Sequence, residues 1–249
     1  MSYVDGPASG WPAGVDRVIL PEVDSTNAHA ARIGAAGPVW VMAQRQTAAR
    51  GRRGRPWAMP AGNFAATLAM RETDSARAGL RSFVAALALR DAFAAVGVPD
   101  AALTLKWPND VLLNGGKVAG ILLEAGGSGL LAIGIGVNLA AAPSPDEVEP
   151  GALRPVSLLG ETGLTVAPET FLDHLAAAFA RWDAQLTTFG FAPIRTAWLA
   201  RAARLGQAIT ARTARDSHHG TFETLDDTGA LVLRTATGRV TLPAADVFF

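Results

Sequence analysis

The chain has 249 residues, 49% hydrophobic and 18% charged, which supplies enough apolar surface for a substantial core and excludes an intrinsically disordered protein. Lys+Arg and Asp+Glu both number 22, so the net charge is zero, whereas a dedicated nucleic-acid binder carries a basic excess. There is no cysteine, which excludes disulfides, thiolate metal sites and a cysteine-borne acyl intermediate and accords with a reducing compartment. The N-terminal stretch MSYVDGPASGWPAGV lacks the basic-then-apolar order of a signal peptide, and no apolar run is long enough to span a bilayer. The expectation is a soluble cytoplasmic protein.

Residues 1–14 are rich in Gly, Pro and small side chains and read as a loose tail. Val18-Ile19-Leu20 reads as a strand. Glu22 to Asn27 then leads into an Ala-rich helix ending at Gly34, for which Asp24 or Ser25 suits the N-cap. Ser25, Thr26 and Asn27 either simply start that helix or offer hydroxyls and free N–H groups to a polar ligand. A second strand, Val39 to Ala43, feeds Gln44 to Trp57, where five arginines fall within eleven residues among glycines and without an apolar period. Such a segment cannot pack as core and reads as a mobile exposed loop. It is either a solvated basic loop that contacts RNA weakly, or a loop that orders over an anion. Arginine grips phosphate with two parallel N–H bonds, and glycine lets the backbone approach. Asn63 to Met70 follows as a strand. Arg77 to Gly97 follows as a helix, with Leu80, Phe83, Val84 and Leu87 at helical spacing and Asp74 or Ser75 as cap.

Lys106 to Glu124, KWPNDVLLNGGKVAGILLE, is the stretch around which the chain is organised. It reads as a β-hairpin. The run Leu103 to Trp107 is broken by Pro108-Asn109-Asp110 and resumes at Val111 to Leu113. It then turns at Asn114-Gly115-Gly116 and returns as Val118 to Leu123. Lysines held beside apolar strands are costly unless they meet negative charge, which points to an anionic ligand, a phosphate or a carboxylate. Leu130 to Val137 is another strand, with Asn138 at its end. There Gly134 and Gly136 permit close packing. Residues 140–152 are Pro-rich and acidic and read as a flexible loop. Pro168 to Phe189 is a helix with Phe171, Leu175, Phe179, Trp182 and Leu186 on one stripe, and Ile194 to Ala203 is a shorter one. From residue 206 onward short alternating runs separated by turns describe a small β-barrel, with His218-His219 in a solvated turn. The four histidines lack metal-ligand spacing, and the P-loop, dinucleotide and nucleophile-elbow patterns are absent.

KWPND followed at this spacing by K-x-A-G-I-L-x-E resembles the biotin–protein ligase family. Three further segments in the family's order extend the likeness over nearly the whole chain from about Leu20. They are Ser25-Thr26-Asn27, the arginine loop similar to G-R-G-R-R-G-R-x-W, in which Ala49 replaces the first Gly, and Gly134-x-Gly136-x-Asn138. The resemblance implies an α+β fold. A mixed sheet packed with helices, class II synthetase-like, would cover residues 15–203, and an SH3-like β-barrel 204–249. It implies ATP-dependent formation of biotinyl-5′-AMP with Mg²⁺, then transfer of biotin to a lysine of a biotin carboxyl carrier protein such as that of acetyl-CoA carboxylase.

By the same resemblance, Ser25, Thr26, Asn27, Gln46, Arg50, Gly51, Arg52, Lys117 and Gly120 hold biotin. Arg50, Arg52, Arg53, Trp57, Asn109, Asp110, Lys117 and Asn138 hold ATP or the adenylate, and residues 140–152 form a lid. Charge on the phosphate oxygens calls for fixed cations, so Lys117 and Arg52 are the candidate catalytic residues. Asp110 is the candidate Mg²⁺ ligand, since Mg²⁺ prefers carboxylate and phosphate oxygens. Lys106 holds either Asp110 or the phosphates, and Trp57 and Trp107 act as walls.

Larger family members carry an N-terminal helix-turn-helix domain. Here the first strand begins near Val18, so the expectation is a ligase without DNA binding. The oligomeric state stays open, a homodimer included. The rival on a related fold is a lipoate or octanoate ligase, against which the arginine loop and the KWPND segment weigh. The rival of another class is a basic-loop nucleic-acid-binding protein, against which the zero net charge weighs.

Overall fold

A computed structural model describes residues 10–34, 36–144, 147–148 and 153–249. Seven strands make one sheet in the order β1-β2-β3-β7-β6-β5-β4. These are β1 (Asp16–Val23), β2 (Val39–Gln46), β3 (Phe64–Arg71), β4 (Leu103–Lys106), β5 (Asp110–Leu113), β6 (Gly116–Ala125) and β7 (Leu130–Val137). β1 and β2 run parallel and need a crossover, which α1 (Thr26–Ile33) supplies; the other pairings are antiparallel. Ser25 caps α1 with its side chain, and Gly34 ends it in the left-handed region.

Strand alternation decides which side of this sheet becomes a core and which becomes a site. On β2 and β3, Trp40, Met42, Phe64, Ala66 and Leu68 face α2 (Ser75–Ala95) and α4 (Pro168–Phe189), together with Ile133, Ile135 and Val137 of β7. Edge-to-face ring pairs, Trp40 with Phe179 and Phe64 with Phe171, lock that side. The intervening residues, Thr67 on β3 and Gly134 and Gly136 on β7, point the other way, toward α1. α2 begins at Asp74, whose carboxylate accepts from Ala76 and Arg77 N–H. A short helix α3 (Leu158–Thr162) and α5 (Phe191–Leu199) complete the helices among the described residues, and α3 escaped the sequence reading.

The expected hairpin is a three-stranded meander, β4-β5-β6, with two reversals. Asn114 and Gly115 turn the second through positive φ. The first reversal is Trp107-Pro108-Asn109, read from sequence only as a break. The Trp107–Pro108 peptide there is cis. A second, antiparallel sheet, β11-β10-β9-β8-β12, covers β8 (Ala208–Arg212), β9 (Ser217–Leu225), β10 (Leu231–Thr235), β11 (Gly238–Leu242) and β12 (Asp246–Phe248). His218 and His219 lie within β9 rather than in a turn, because the run continues through them to pair with β8. There His219 Nδ1 bonds the Thr210 hydroxyl.

The small sheet is fixed to the large one at Trp107. Its indole N–H donates to Gly229 O, and Gly229 takes positive φ against Phe83, where a Cβ would collide at 2.6 Å. Of the tail expected over 1–14, residues 1–9 lie outside the described residues. Trp11 packs on the core with its N–H on Val15 O. Among the described residues no helix is long and apolar enough to cross a membrane.

Candidate active site

A cavity of about 690 Å³ opens on the α1 side of the large sheet, and every site residue expected from the sequence lines it: Ser25, Thr26, Asn27, Gln46, Arg50, Gly51, Arg52, Arg53, Trp57, Asn109, Asp110, Lys117, Gly120 and Asn138. They come from four segments far apart in sequence. At one end sits the α1 start. Gln46 Oε1 accepts from the Thr26 N–H at 2.8 Å and lies 3.1 Å from its hydroxyl. Asn27 is wedged between Thr67 and Glu124. Its Oδ1 is 2.5 Å from the Thr67 hydroxyl, and its Nδ2 donates to Glu124 Oε2 at 2.7 Å. Gly134 leaves the room for this amide, since a Cβ there would stand 2.3 Å from Asn27 Oδ1.

The arginine loop is folded, not loose. Arg45 and Gln46 belong to β2, with Arg45 paired to Glu22 at the surface. Beyond them Gly51 N–H donates to Arg55 O and Trp57 N–H to Ala49 O, so the loop closes on itself. Arg53 and Gly54 take positive φ at its tip. Ala49 does not take positive φ, so the substituted glycine costs the loop no backbone strain here. The reason the loop holds lies in the small sheet. Asp246 on β12 takes Arg53 at 2.7 Å, Arg55 at 3.2 Å and Arg52 at 3.6 Å. Arg50 pairs instead with Glu124 at 3.0 Å. Trp57 then lies over β6 and β7, where glycines spare it: a Cβ on Gly136 would stand 2.6 Å from its ring and one on Gly120 3.2 Å.

The meander supplies the cations. Lys117 Nζ lies 2.8 Å from Asp110 Oδ1 and 5.6 Å from the centre of the Trp57 ring, so it is held between a carboxylate and an aromatic face. Lys106, almost fully buried, reaches the other oxygen of Asp110 at 3.8 Å and faces the ring of Phe249. Burial pushes the Lys106 ammonium below its ordinary value against the pull of Asp110. Burial works to raise the Asp110 carboxyl, but Lys117 and Lys106 outweigh it and hold it below the ordinary range. Burial also lowers the Arg52 guanidinium, yet an arginine stays charged throughout. Asn109 joins loop and meander: its Nδ2 donates to Ile121 O at 2.7 Å and its Oδ1 accepts from Arg52 at 3.4 Å.

Asn138 is buried and each end of its amide has a partner inside the protein. Nδ2 donates to Val156 O and Oδ1 meets Asn63, which also accepts from Ala140 and Ala141 N–H. It therefore staples the end of β7 to the segment before α3. Of the loop at 140–152, residues 145–146 and 149–152 lie outside the described residues; Pro143, Glu147 and Val148 line the cavity. Among the described residues no three acidic or histidine side chains gather to hold a metal. Asp110 is the carboxylate beside the two meander lysines, while Asp246 and Glu124 are taken up by the loop arginines; a single carboxylate there would fit a Mg²⁺ that keeps most of its waters.

Asp246, Thr67 and Asn63 were not found from sequence. Asp246 and Asn63 sit in segments that read only as barrel and as strand, and Thr67 lies in a run whose facing is invisible without the sheet. Glu124 stood in a quoted motif without a role.

Residues 23–139 match the biotin/lipoate A/B protein ligase family, and residues 205–249 match the biotin protein ligase C terminal domain. The chain is 61% identical to a biotin–[acetyl-CoA-carboxylase] ligase of Paracoccus denitrificans, over 93% of this chain and 99% of that one. It is 31% identical to the bifunctional ligase/repressor BirA of Bacillus spizizenii, over 83% of this chain and 65% of that one. Its fold resembles that of a biotin protein ligase from Aquifex aeolicus in complex with biotin and ATP, with a TM-score of 0.81, 22% identity and coverage of 93% of this chain and 97% of that one.

Proposed function

The chain belongs to the biotin/lipoate A/B protein ligase family, and from that premise we propose how its cavity does the work of a biotin–[acetyl-CoA-carboxylase] ligase. Biotin and ATP are the substrates. The biotin carboxylate attacks the α-phosphorus of ATP; the bond to the β-phosphate oxygen breaks, and pyrophosphate leaves. The lysine amine of a biotin carboxyl carrier protein then attacks the acyl carbon of biotinyl-5′-AMP, and AMP leaves. We read residues 15–203 as the catalytic domain and 204–249 as a small domain that serves it. We also place the reaction in the cytoplasm, where ATP and carrier meet. Nothing in the reaction requires a second copy of the chain.

The observation that supports this reading is the convergence of the α1 start, the arginine loop, the meander lysines and the end of β7 on one cavity. A carboxylate must approach a polyanion, and fixed cations make that approach favourable. Lys117 is the cation for the carboxylate and the α-phosphate. In the free protein Asp110 holds its ammonium in the cavity at 2.8 Å. Arg52, steadied by Asn109 and Asp246, is the second. Arg50 and Arg53 lie at the rim with half-exposed side chains, and suit the outer phosphates and the closed loop. Mg²⁺, when bound, would neutralise and orient the phosphates, with Asp110 as its protein carboxylate. Ser25, Thr26, Asn27 and Gln46 present fixed donors and acceptors that suit a ureido ring, with Gly51 and Gly120 letting the ligand lie close to the backbone. Trp57 walls the adenylate from water. Asn138 shapes the adenine end by holding the segment before α3.

The test is incubation with ATP, Mg²⁺, a carrier domain and labelled biotin, with lipoate as competitor, read as intact carrier mass. The reading predicts one biotinyl group per carrier and no competition by equimolar lipoate. A lipoylated carrier, or an unmodified one, contradicts it.

A further inference from the structure

We propose that Glu124 is a positioning residue that fixes the amide of Asn27 for the biotin ring and ties that amide to the arginine loop. The inference rests on the ligase reading above and adds to it how ring binding and loop ordering are coupled.

Glu124 stands on the cavity face of β6, two residues along from Leu122 and four from Gly120, which both line the cavity. Its two carboxylate oxygens serve two different segments. Oε2 accepts from Asn27 Nδ2 at 2.7 Å, and Oε1 accepts from Arg50 Nη2 at 3.0 Å. No other described residue bonds both the α1 start and the loop through one side chain.

An amide group is a donor at one end and an acceptor at the other, and a ligand reads which end is which. At Asn27 both ends are assigned by neighbours. A carboxylate on one side can only accept, so it takes the NH₂ end. The Thr67 hydroxyl on the other side lies 2.5 Å from Oδ1 and 2.8 Å from the Thr26 hydroxyl. A hydroxyl carries one hydrogen. If Thr67 gives it to Asn27 Oδ1, the Thr26 hydroxyl donates to Thr67, while Thr26 N–H keeps Gln46 Oε1 at 2.8 Å. Each contact in this cluster then has one donor and one acceptor. Asn27 keeps its second N–H and its second lone pair for a ligand, a fixed donor beside a fixed acceptor. A ureido group, with N–H beside C=O, is complementary to that pair.

The contact to Arg50 is of a different kind. Both side chains are substantially exposed, 52% for Arg50 and 34% for Glu124, and such a pair holds little by itself. Arg50 can thus leave this contact while Asn27 stays set. A ligand ring bonded to Asn27 further holds the carboxylate that receives Arg50, and this one group couples ring binding to the arginine loop.

The experiment compares wild type with Glu124→Ala, Glu124→Gln, Arg50→Ala and the Glu124→Ala/Arg50→Ala pair in the whole chain. Pyrophosphate release is measured with carrier domain present and biotin and ATP varied in turn. Retention of preformed biotinyl-5′-AMP is followed by chase. Glu124→Ala is expected to raise the KM for biotin roughly tenfold or more, the loss of a partly buried bond to a charged group, while the KM for ATP moves by less than about twofold. Glu124→Gln keeps an acceptor for one partner only. It is expected to recover part of the biotin KM and to release the adenylate as fast as Arg50→Ala. The double variant is expected to release it no faster than Arg50→Ala alone, because both changes cut the same tie. A biotin KM for Glu124→Ala near that of wild type overturns the proposal. So does a parallel rise in both KM values with a lowered melting midpoint, which marks a structural role only. Additive release rates in the double variant overturn the coupling. Wild type that releases no pyrophosphate counts against the ligase reading itself and takes this inference with it.

Discussion

Arg53 of the loop and Asp246 of the last strand are paired at 2.7 Å, and Arg55 and Arg52 close on the same carboxylate. A lone carboxylate in the small sheet thus gathers three arginines of a loop that by composition alone would stay open. In the free protein Asp246 is the counter-charge these three cations share.

Asp246→Asn removes that counter-charge and leaves the guanidinium groups to repel one another. Three partly buried pairs together hold the loop by on the order of 1–2 kcal/mol, so trypsin is expected to cut within 50–55 about tenfold faster in the variant. Bound biotinyl-5′-AMP is expected to abolish the difference. Equal cleavage of the two free proteins would show that Asp246 does not hold the loop.

Gly134→Ala and Gly136→Ala separate the two ends of the cavity. The first puts a methyl 2.3 Å from Asn27 Oδ1, inside a buried hydrogen-bond cluster that has nowhere to move. The second puts one 2.6 Å from Trp57, which rides on a loop and can shift. Gly134→Ala is therefore expected to weaken biotin binding, measured calorimetrically, by about 2 kcal/mol or more, the cost of unmaking buried hydrogen bonds. Gly136→Ala is expected to leave biotin binding nearly intact and to shorten the lifetime of the bound adenylate. Equal losses of biotin affinity would reject the assignment of the two glycines.

A second buried ion cluster lies away from the cavity. Glu72 takes Arg77 through both oxygens and Arg81 at 2.5 Å, and Arg81 reaches Asp183 at 2.9 Å. The hydrogen bond from Arg77, with help from Asp74 N–H and Arg81, brings the Glu72 carboxyl from 4.5 to about 2. A carboxyl whose folded value is depressed stabilises the fold above its unfolded value and loses that stabilisation as pH falls through the folded one. The window is pH 4.5 down to about 2. Its main partner, Arg77, is 42% exposed, so with solvent screening the drop corresponds to on the order of 2 kcal/mol. Glu72→Gln is expected to cost about 2–3 kcal/mol in denaturant unfolding at pH 7 and to flatten the acid limb between pH 4.5 and 2. An unchanged acid limb would remove Glu72 from the account.

Lys117→Ala is expected to lower adenylate formation by about 3 kcal/mol or more, which is a hundredfold or more in rate. Near-normal pyrophosphate release by this variant would reject the role given to Lys117. Asp110→Asn frees the ammonium while removing the candidate Mg²⁺ carboxylate, and its loss is expected to shrink as Mg²⁺ is raised.

Much of this was legible before the fold. Ser25 and Gly34 bound a helix because a hydroxyl and a missing Cβ are local signals, and Asn114-Gly115 turns because those residues tolerate positive φ. The lysines beside apolar strands pointed to an anion, since burial makes unpaired charge costly. What stayed hidden depended on distance in sequence. Asp246 meets the arginines only once β12 docks on β8 beside the cavity. Thr67 faces Asn27 only because β3 lies between β2 and β7 in a given register. The arginine loop read as mobile because its composition has no core-facing period, and it is ordered here by partners outside itself. Asn138 read as a ligand to the adenine side, and its hold on Val156 and Asn63 was not visible from sequence.

The central claim is that loop and meander close over one mixed anhydride. A crystal structure with biotinyl-5′-AMP bound tests it most directly. The account predicts Lys117 Nζ and the Arg52 guanidinium both within hydrogen-bonding distance of the anhydride oxygens, with the ureido ring against Asn27. An adenylate seated elsewhere, or one that meets Lys117 while Arg52 stays on Asp246 away from it, would contradict the account.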